Sequence, residues 1–428
     1  MKLVHLEALR EPELDALLRR PDPHDADVRE TVRSILEDVR ARGDAALRDY
    51  TERFDGLVPN ALRVDEADIQ NAWDELPGDQ RSALETARAN IERFHAPQLL
   101  EPYEVETTPG VRTGQRVVPY RRVGIYAPQG LVSSLLMAAV PAQLAGVREL
   151  AVVTPPGASG EVAEIIRAAA SLVGIDEVYA VGGAQAIAAL AYGTETVPAV
   201  EEIVGPGNAY VTAAKALVRD EIGIDLLAGP SEVLLLVEPS EDRPLSRWAA
   251  WAADELRAQL EHGPGTSALL LTPSVDLAQR VTALFDDSEL RDRHTGAVIY
   301  RDPARALDFI NAYGPEHLVI WTENDDAWLA GVDSAGSVFL GPWAPVALGD
   351  FASGTNHVLP TAQGARHSSG LSVREFQKTI SYQRVSVEGL GSLRSAVATL
   401  ARAEGLEAHA RSVEARLGDE EADDAPDA

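Results

Sequence analysis

The chain has 428 residues, carries 38 Lys or Arg against 67 Asp or Glu for a formal net charge of −29, and contains no cysteine. That length exceeds what one hydrophobic core usually serves, so two domains or more are expected. The missing cysteine excludes a disulfide framework, a thiolate zinc site, an iron–sulfur cluster and a thiol nucleophile, and the missing basic footprint argues against nucleic acid and anionic membranes.

Only three of the basic residues are lysines: Lys2, Lys215 and Lys378. An acid excess spread along a chain that uses arginine in place of lysine looks like a halophile's surface, and is read as habitat rather than function. The N-terminal stretch MKLVHLEALREPELDALL is charged and amphipathic, not a signal peptide. Residues 27–100, rich in Arg, Glu and Ala, read as helical. Residues 123–147 hold 25 positions without a charge, long enough to raise a membrane span. The glycine turn APQG and the central Pro141 instead fit strand, turn and buried helix. A cytoplasmic protein is expected.

From residue 122 short apolar runs alternate with helical ones. Strands are expected at 122–127, 149–154, 177–181, 201–204 and 231–238, with alanine-rich helices at 131–145, 160–172, 184–192 and 208–220. A second series has strands at 266–273, 297–300, 317–321 and 336–339, and helices near 275–285, 304–312 and 325–331. Unbroken apolar strands separated by helices mean parallel sheets covered on both faces. The fold class is therefore α/β, two Rossmann-like domains in tandem with a helical N-terminal region and a helical C-terminal arm. The expected divisions are 1–121 (helical, contributing to the first α/β domain), 122–238, 239–371, a helical arm over 372–417 and a disordered acidic tail over 418–428. The arm is too thin to fold alone, so it must pack on something.

Open parallel sheets bind ligands beyond the carboxyl ends of their strands. Three glycine turns of the first series lie there: YAPQG (126–130), VGGAQ (181–185) and VGPGNAY (204–210). The last opens a helix, so its amides and the helix dipole could hold a phosphate or diphosphate. None is G-x-G-x-x-G. Singly, each is a tight turn; three in one unit, carrying Tyr126, Gln185 and Asn208, point to an elongated nucleotide.

Further on, AYGPEHLVIW puts Glu316 and His317 at the mouth of a buried strand, costly unless paired or used. RAQLEHGPG places Gln259 and His262 i, i+3 at a helix terminus, where a histidine facing the helix dipole would need no ligand. LGDFASGTNHVLP sets Asp350 and His357 in a loop after a strand, where sites are built. ARAEGLEAHAR places Glu404 and His409 i, i+5 in a helix, by default a solvated face. Together these segments supply Gln, His and carboxylate donors, a set suited to a divalent cation such as Zn²⁺ with room for substrate.

Six motifs in order, DYTERFDG (49–56), GPGNAYVTAAK, AGPSEVL, QLEHGP, GPEHL and GDFASGTNHVLPT, resemble the histidinol dehydrogenase family. The resemblance implies four-electron oxidation of L-histidinol to L-histidine via L-histidinal with two NAD⁺, the last steps of histidine biosynthesis. It implies one Zn²⁺ per site held by Gln259, His262, Asp350 and His409, and Tyr126, Gln185 and Asn208 along the NAD. Ser231, His357 and Glu404 would contact the substrate, together with the metal ligands and His317. His317 would be the acid/base and Glu316 its partner. It also implies a homodimer whose C-terminal arms complete each other's sites, an NAD-side first α/β domain and a substrate-side second. Gln129 departs from the glycine of the family's turn, and IDLLAGPSE has leucine where Met-Pro is commoner.

The chemistry of the residues agrees. Oxidising an aldehyde requires water to add first; a chain without cysteine cannot form a thiohemiacetal, which leaves a carboxylate such as Glu316 to activate water. A neutral His317 can take the alcohol proton, and Zn²⁺ would position the substrate. Two other readings remain open on the residues alone: a zinc-dependent hydrolase of a phosphorylated substrate, and a hinged ligand-binding protein.

Overall fold

Runs such as EVLLLV, SALLLT and HLVIW are apolar at every position, and a strand of that kind is stable only in a sheet covered on both faces. In the computed structural model each of these three is fully buried. The structure describes residues 1–19, 26–57, 60–263, 265–286, 288, 290 and 293–418. Residues 419–428 of the expected acidic tail lie outside these.

The chain divides into two units, Met1–Gln98 with Tyr120–Phe376 and Leu99–Pro119 with Gln377–Ala428. The first contains two parallel sheets. One has five strands in the order Glu177–Ala180, Glu149–Thr154, Arg122–Tyr126, Glu202–Val204, Gly223–Ile224. The strand order reverses between Arg122–Tyr126 and Glu202–Val204, so the crevice for a ligand opens at their carboxyl ends. The other has six strands in the order Lys2–His5, His294–Ile299, Ser267–Thr272, Glu232–Val237, His317–Trp321, Ser337–Leu340. The two α/β layers and their helices match the sequence expectation of Rossmann-like repeats. The charge-free run becomes strand Arg122–Tyr126 and the buried helix Val132–Ala145, with Pro141 inside it. No helix among the described residues is long and apolar enough to cross a membrane.

Three local expectations are corrected. The strand expected at 231–238 as the last of the first series pairs instead with Ser267–Thr272 and His317–Trp321, at the middle of the six-stranded sheet. Spacing along a chain reports that a strand follows, not which sheet receives it. The N-terminal region is not wholly helical: Lys2–His5 pairs with Gly296–Ile299 as an edge strand, too short to show a sheet period. The C-terminal arm is not wholly helical either, because Gln377–Val385 is a strand.

In the second unit that strand pairs antiparallel with Val111–Pro119, which pairs in turn with Tyr103–Thr108. Its residues are mostly exposed on both faces, which removes the apolar alternation that marks a strand. Two helices follow, Val387–Ala403 and Glu407–Gly418, broken by left-handed Gly405 (φ +76°). Glu404 therefore caps one helix and His409 lies in the next, not in one continuous helix as their spacing suggested. Among the described residues the buried apolar cluster of this unit consists of Ala398, Ala401 and Ala410, while Ile380, Val387, Leu400 and Leu406 are exposed.

Candidate active site

In a parallel sheet the covering helices run back against the strands, so a helix C-terminus arrives at the amino edge of the sheet. Helix Leu245–Leu260 does this after strand Glu232–Val237, and delivers Gln259 in its last turn and His262 just beyond it. The His262 Nδ1 lies 3.2 Å from the Gln259 carbonyl oxygen, leaving Nε2 to point elsewhere. The short helix Val346–Phe351 brings Asp350. At the same edge Glu232 and His317 are the first residues of adjacent strands.

Glu232 organises the centre with its backbone. Its N–H donates to Glu316 Oε2 at 2.8 Å, and its carbonyl lies 3.2 Å from His317 Nδ1. Glu316 and His317 are only 3.7 Å apart, yet each is anchored to this one backbone residue rather than to the other. The His317 Nε2 points toward Asp350 Oδ1 at 3.6 Å, too far for a hydrogen bond, and has no partner. With Nδ1 donating to a carbonyl, Nε2 carries the lone pair. The carboxylate of Glu232 accepts from the Ala362 N–H at 3.0 Å, fixing a turn in which Ala362 and Gln363 both have left-handed backbone. Two consecutive non-glycine residues in that region cost energy that the surrounding contacts must offset.

Burial sets the protonation of this group. It pushes the His317 imidazole down to about 3, the Glu232 carbonyl opposing and the charges of His262 and His357 adding. It lowers His357 to about 4 and raises Asp350 to about 6, against the pull of His262. Glu316 rises well above the ordinary carboxylate range, burial dominating, with the Glu232 N–H opposing and the carboxylates of Glu232 and Asp350 adding. The site therefore holds an uncharged imidazole with a lone pair able to accept a proton, and a carboxyl group that burial biases toward its protonated form.

His357 joins the two sheets. Its Nδ1 lies 2.8 Å from the Asp350 carbonyl oxygen and its Nε2 3.3 Å from Ser134 Oγ, on the helix that follows strand Arg122–Tyr126. Nearby, Asn356 donates to the Met137 carbonyl at 2.7 Å. The carboxyl end of the first sheet is thereby tied to the amino edge of the second.

At that carboxyl end the three glycine turns converge. Tyr126, buried, accepts from the Gly183 N–H at 3.2 Å through its hydroxyl. Gly183 opens the helix bearing Gln185, whose Oε1 is buried without a partner. Gly205 has φ +110°, and a Cβ there would drive into the Tyr126 carbonyl oxygen. Asn208, exposed, caps helix Ala209–Val218 by accepting from the Tyr210 and Val211 N–H groups. Two helix N-termini lie at this end, where the helix dipole suits a diphosphate, while the amides of Gly183, Tyr210 and Val211 already have acceptors within the protein.

Of the expected site residues, Gln259, His262, Glu316, His317, Asp350 and His357 are brought together, with Ser231 adjacent through Glu232. Glu404 and His409 belong to the other unit. Among the described residues no three His, Asp or Glu form a group able to hold a metal. Gln259 supplies the missing kind of donor: it is 3% exposed and both amide atoms lack a partner. Such burial costs roughly 1–3 kcal/mol, which coordination of the oxygen would relieve. With His262 and Asp350 the amide would supply three N/O donors of the kind Zn²⁺ takes.

The histidinol dehydrogenase family profile matches residues 18–417. The chain belongs to the histidinol dehydrogenase family. It is 44% identical to the histidinol dehydrogenase of Methanosarcina mazei over 92% of this chain and 93% of that one. It is 45% identical to that of Halobacterium salinarum over 95% and 96%. The crystal structure of histidinol dehydrogenase from Elizabethkingia anophelis superposes with a TM-score of 0.89 at 34% identity, covering 97% of this chain and 98% of that one. Membership makes the chain an enzyme, an oxidoreductase.

Sequence reasoning passed over Glu232 as a site residue, although a carboxylate opening a run of buried aliphatics was a legible signal. It also missed Glu255, buried in helix Leu245–Leu260, whose Oε1 accepts from the Val346 N–H at 2.7 Å and so fixes the start of the helix bearing Asp350. Ser134 gave no signal, since one serine in an apolar helix is ordinary.

Proposed function

We propose that this enzyme oxidises L-histidinol to L-histidine through L-histidinal, using two NAD⁺ and one Zn²⁺ per site. The observation that carries the reading is His317: buried, neutral, oriented by the Glu232 carbonyl, with Glu316 on its Nδ1 side and an unpartnered Nε2 facing Asp350. His317 Nε2 takes the proton of the substrate hydroxyl as the carbon–hydrogen bond breaks. Glu316, once ionised, takes a proton from water so that the hydroxide adds to the aldehyde carbonyl. The protonated His317 returns its proton to the former carbonyl oxygen, giving the neutral gem-diol, and then removes a gem-diol proton as the second carbon–hydrogen bond breaks, while Glu316 gives its proton to solvent. When bound, NAD⁺ supplies the hydride acceptor, and Zn²⁺ a Lewis acid that anchors the substrate's nitrogens. Gln259, His262 and Asp350 would hold the metal, and Tyr126, Gln185 and Asn208 would line the cofactor. Ser231 and His357 would border the substrate. Two NADH formed for each histidinol consumed, with histidine as product, is the expected result. One NADH with accumulating histidinal would contradict the second step, and hydrolysis of a phosphate ester without NAD⁺ would overturn the class.

The second unit supports a homodimer in which each site is completed by Glu404 and His409 of the other copy. Both residues are exposed, and the unit's thin core and exposed aliphatics call for a covering surface. Inactive His317→Ala and His409→Ala subunits, refolded together, should recover about a quarter of wild-type activity, because crossed arms leave one intact site in each mixed dimer. Mixed dimers, verified by mass, that regain nothing would exclude shared sites.

A further inference from the structure

Lys215 stands in the middle of helix Ala209–Val218, in a chain that otherwise uses arginine almost throughout. It is 2% exposed and forms an ion pair with Asp225, whose side chain is equally buried. Its ammonium also donates to the Gly205 carbonyl at 3.0 Å. The other oxygen of Asp225 accepts from the Gly205 N–H at 2.8 Å. The two peptide groups flanking one α-carbon are thus held by the two ends of a single buried ion pair. Gly205 needs holding, because its left-handed backbone leaves no room for a side chain beside the Tyr126 carbonyl, and a glycine's wide backbone freedom must be restricted by other groups.

A buried ion pair is a poor source of stability, since desolvation cancels most of its attraction and apolar residues of like volume often serve as well. Geometry is what it can contribute. The ammonium's compact shape fits between helix and turn; a planar guanidinium, with donors in a fixed fork, would not reach one carbonyl and one carboxylate in the same way. Neither residue is exposed to a ligand, so neither acts on one directly.

We propose that Lys215 and Asp225 are positioning residues for the dinucleotide: the pair locks the Gly205 turn in the conformation that presents the N–H groups of Gly207 and Asn208 to the diphosphate. This rests on the reading of that turn as the NAD⁺ site. The pair acts before the cofactor arrives, removing the ordering cost that a loose turn would add to binding.

The test uses the full-length, zinc-loaded enzyme. The double variant Lys215→Met/Asp225→Asn removes both charges together, so no unpaired ion is left buried, and keeps an acceptor for the Gly205 N–H. NAD⁺ affinity by titration calorimetry should fall about tenfold. Amide hydrogen exchange over residues 204–210 should quicken without cofactor, while zinc content and the KM for histidinol stay at wild-type values. Asn208→Ala, in the same turn, is measured alongside. Weaker binding in Asn208→Ala but not in the folded double variant would overturn the positioning role and leave the turn as the cofactor site. Unchanged affinity in both would overturn the site and the positioning role with it. If the double variant does not fold, Lys215→Gln, which keeps a donor without the charge, must show faster exchange over 204–210; unchanged exchange there refutes the proposal.

Discussion

The two parallel sheets use opposite edges. In the five-stranded sheet the chemistry-bearing groups sit at the carboxyl ends, where glycine turns and helix N-termini offer N–H groups. In the six-stranded sheet they sit at the amino edge, where strands begin at Glu232 and His317 and a long helix ends at Gln259 and His262. The difference follows from the backbone dipole: helix N-termini attract anions and helix C-termini attract cations. One edge suits a diphosphate and the other a metal ion and a cationic substrate. The unused amino edge of the first sheet makes the contrast plain. There Arg122 is paired with Glu149 at 3.0 Å and with Glu177, so the opening residues of three neighbouring strands neutralise one another. At the corresponding edge of the second sheet it is uncharged polar atoms, His317 Nε2 and both amide atoms of Gln259, that have no partner.

The comparison breaks most sharply at His317. His317→Asn should slow both half-reactions by roughly 10²–10⁴-fold, since in the proposed mechanism each passes a proton to that ring. Glu316→Gln should slow oxidation of histidinal far more than oxidation of histidinol, because only the former consumes an activated water. Assaying the two substrates separately decides it; equal losses in Glu316→Gln would remove the water-activating role. Neither change should alter NAD⁺ affinity, which the proposed function assigns to the other sheet.

A smaller effect separates the edges by ligand. His262→Ala should lose zinc, read by elemental analysis, while the melting temperature and NAD⁺ affinity stay close to wild type, because the proposed metal donors stand on elements already folded. Full zinc content in that variant would rule His262 out as a ligand. Weakened NAD⁺ binding would mean that the edges are not independent.

Much of this arrangement was legible in the sequence. The alternation of apolar strands with alanine-rich helices placed nearly every element of both sheets, and Glu316 and His317 stood out because two ionisable groups open a buried strand. What was hidden depended on partners far along the chain. Strand Glu232–Val237 has the same local pattern whichever sheet it joins. Gln377–Val385 is exposed on both faces and carries no sheet period. Lys215 was conspicuous as one of three lysines, but its partner Asp225 and the peptide groups of Gly205 become neighbours only through the helix turn between them. Edge polarity was hidden too: loops after strands were the expected place for chemistry, whereas Asp350 reaches the amino edge only because a helix turns back.

The smallest effect probes the quiet edge itself. Glu202 opens strand Glu202–Val204, the same position that Glu232 occupies in the other sheet, and burial pushes its carboxyl up to about 8, Tyr120 and Lys215 opposing and Asp225 and Glu375 adding. A carboxyl whose folded pKa lies above its unfolded value holds its proton more tightly in the native state. Its contribution to stability is complete below the unfolded pKa and is lost as the pH climbs toward about 8, so the wild type should lose stability across that window. Glu202→Gln keeps the shape without the proton and should lose less. Melting temperatures of the two proteins from about pH 5 to about pH 9 should therefore diverge in favour of the variant, by at most a few kcal/mol at the alkaline end. Because Glu202 lies at the edge away from the glycine turns, catalytic rate at saturating NAD⁺ should not change. Parallel melting curves would show that this carboxyl titrates normally, and that the unused edge is more open to water than its buried strands suggest.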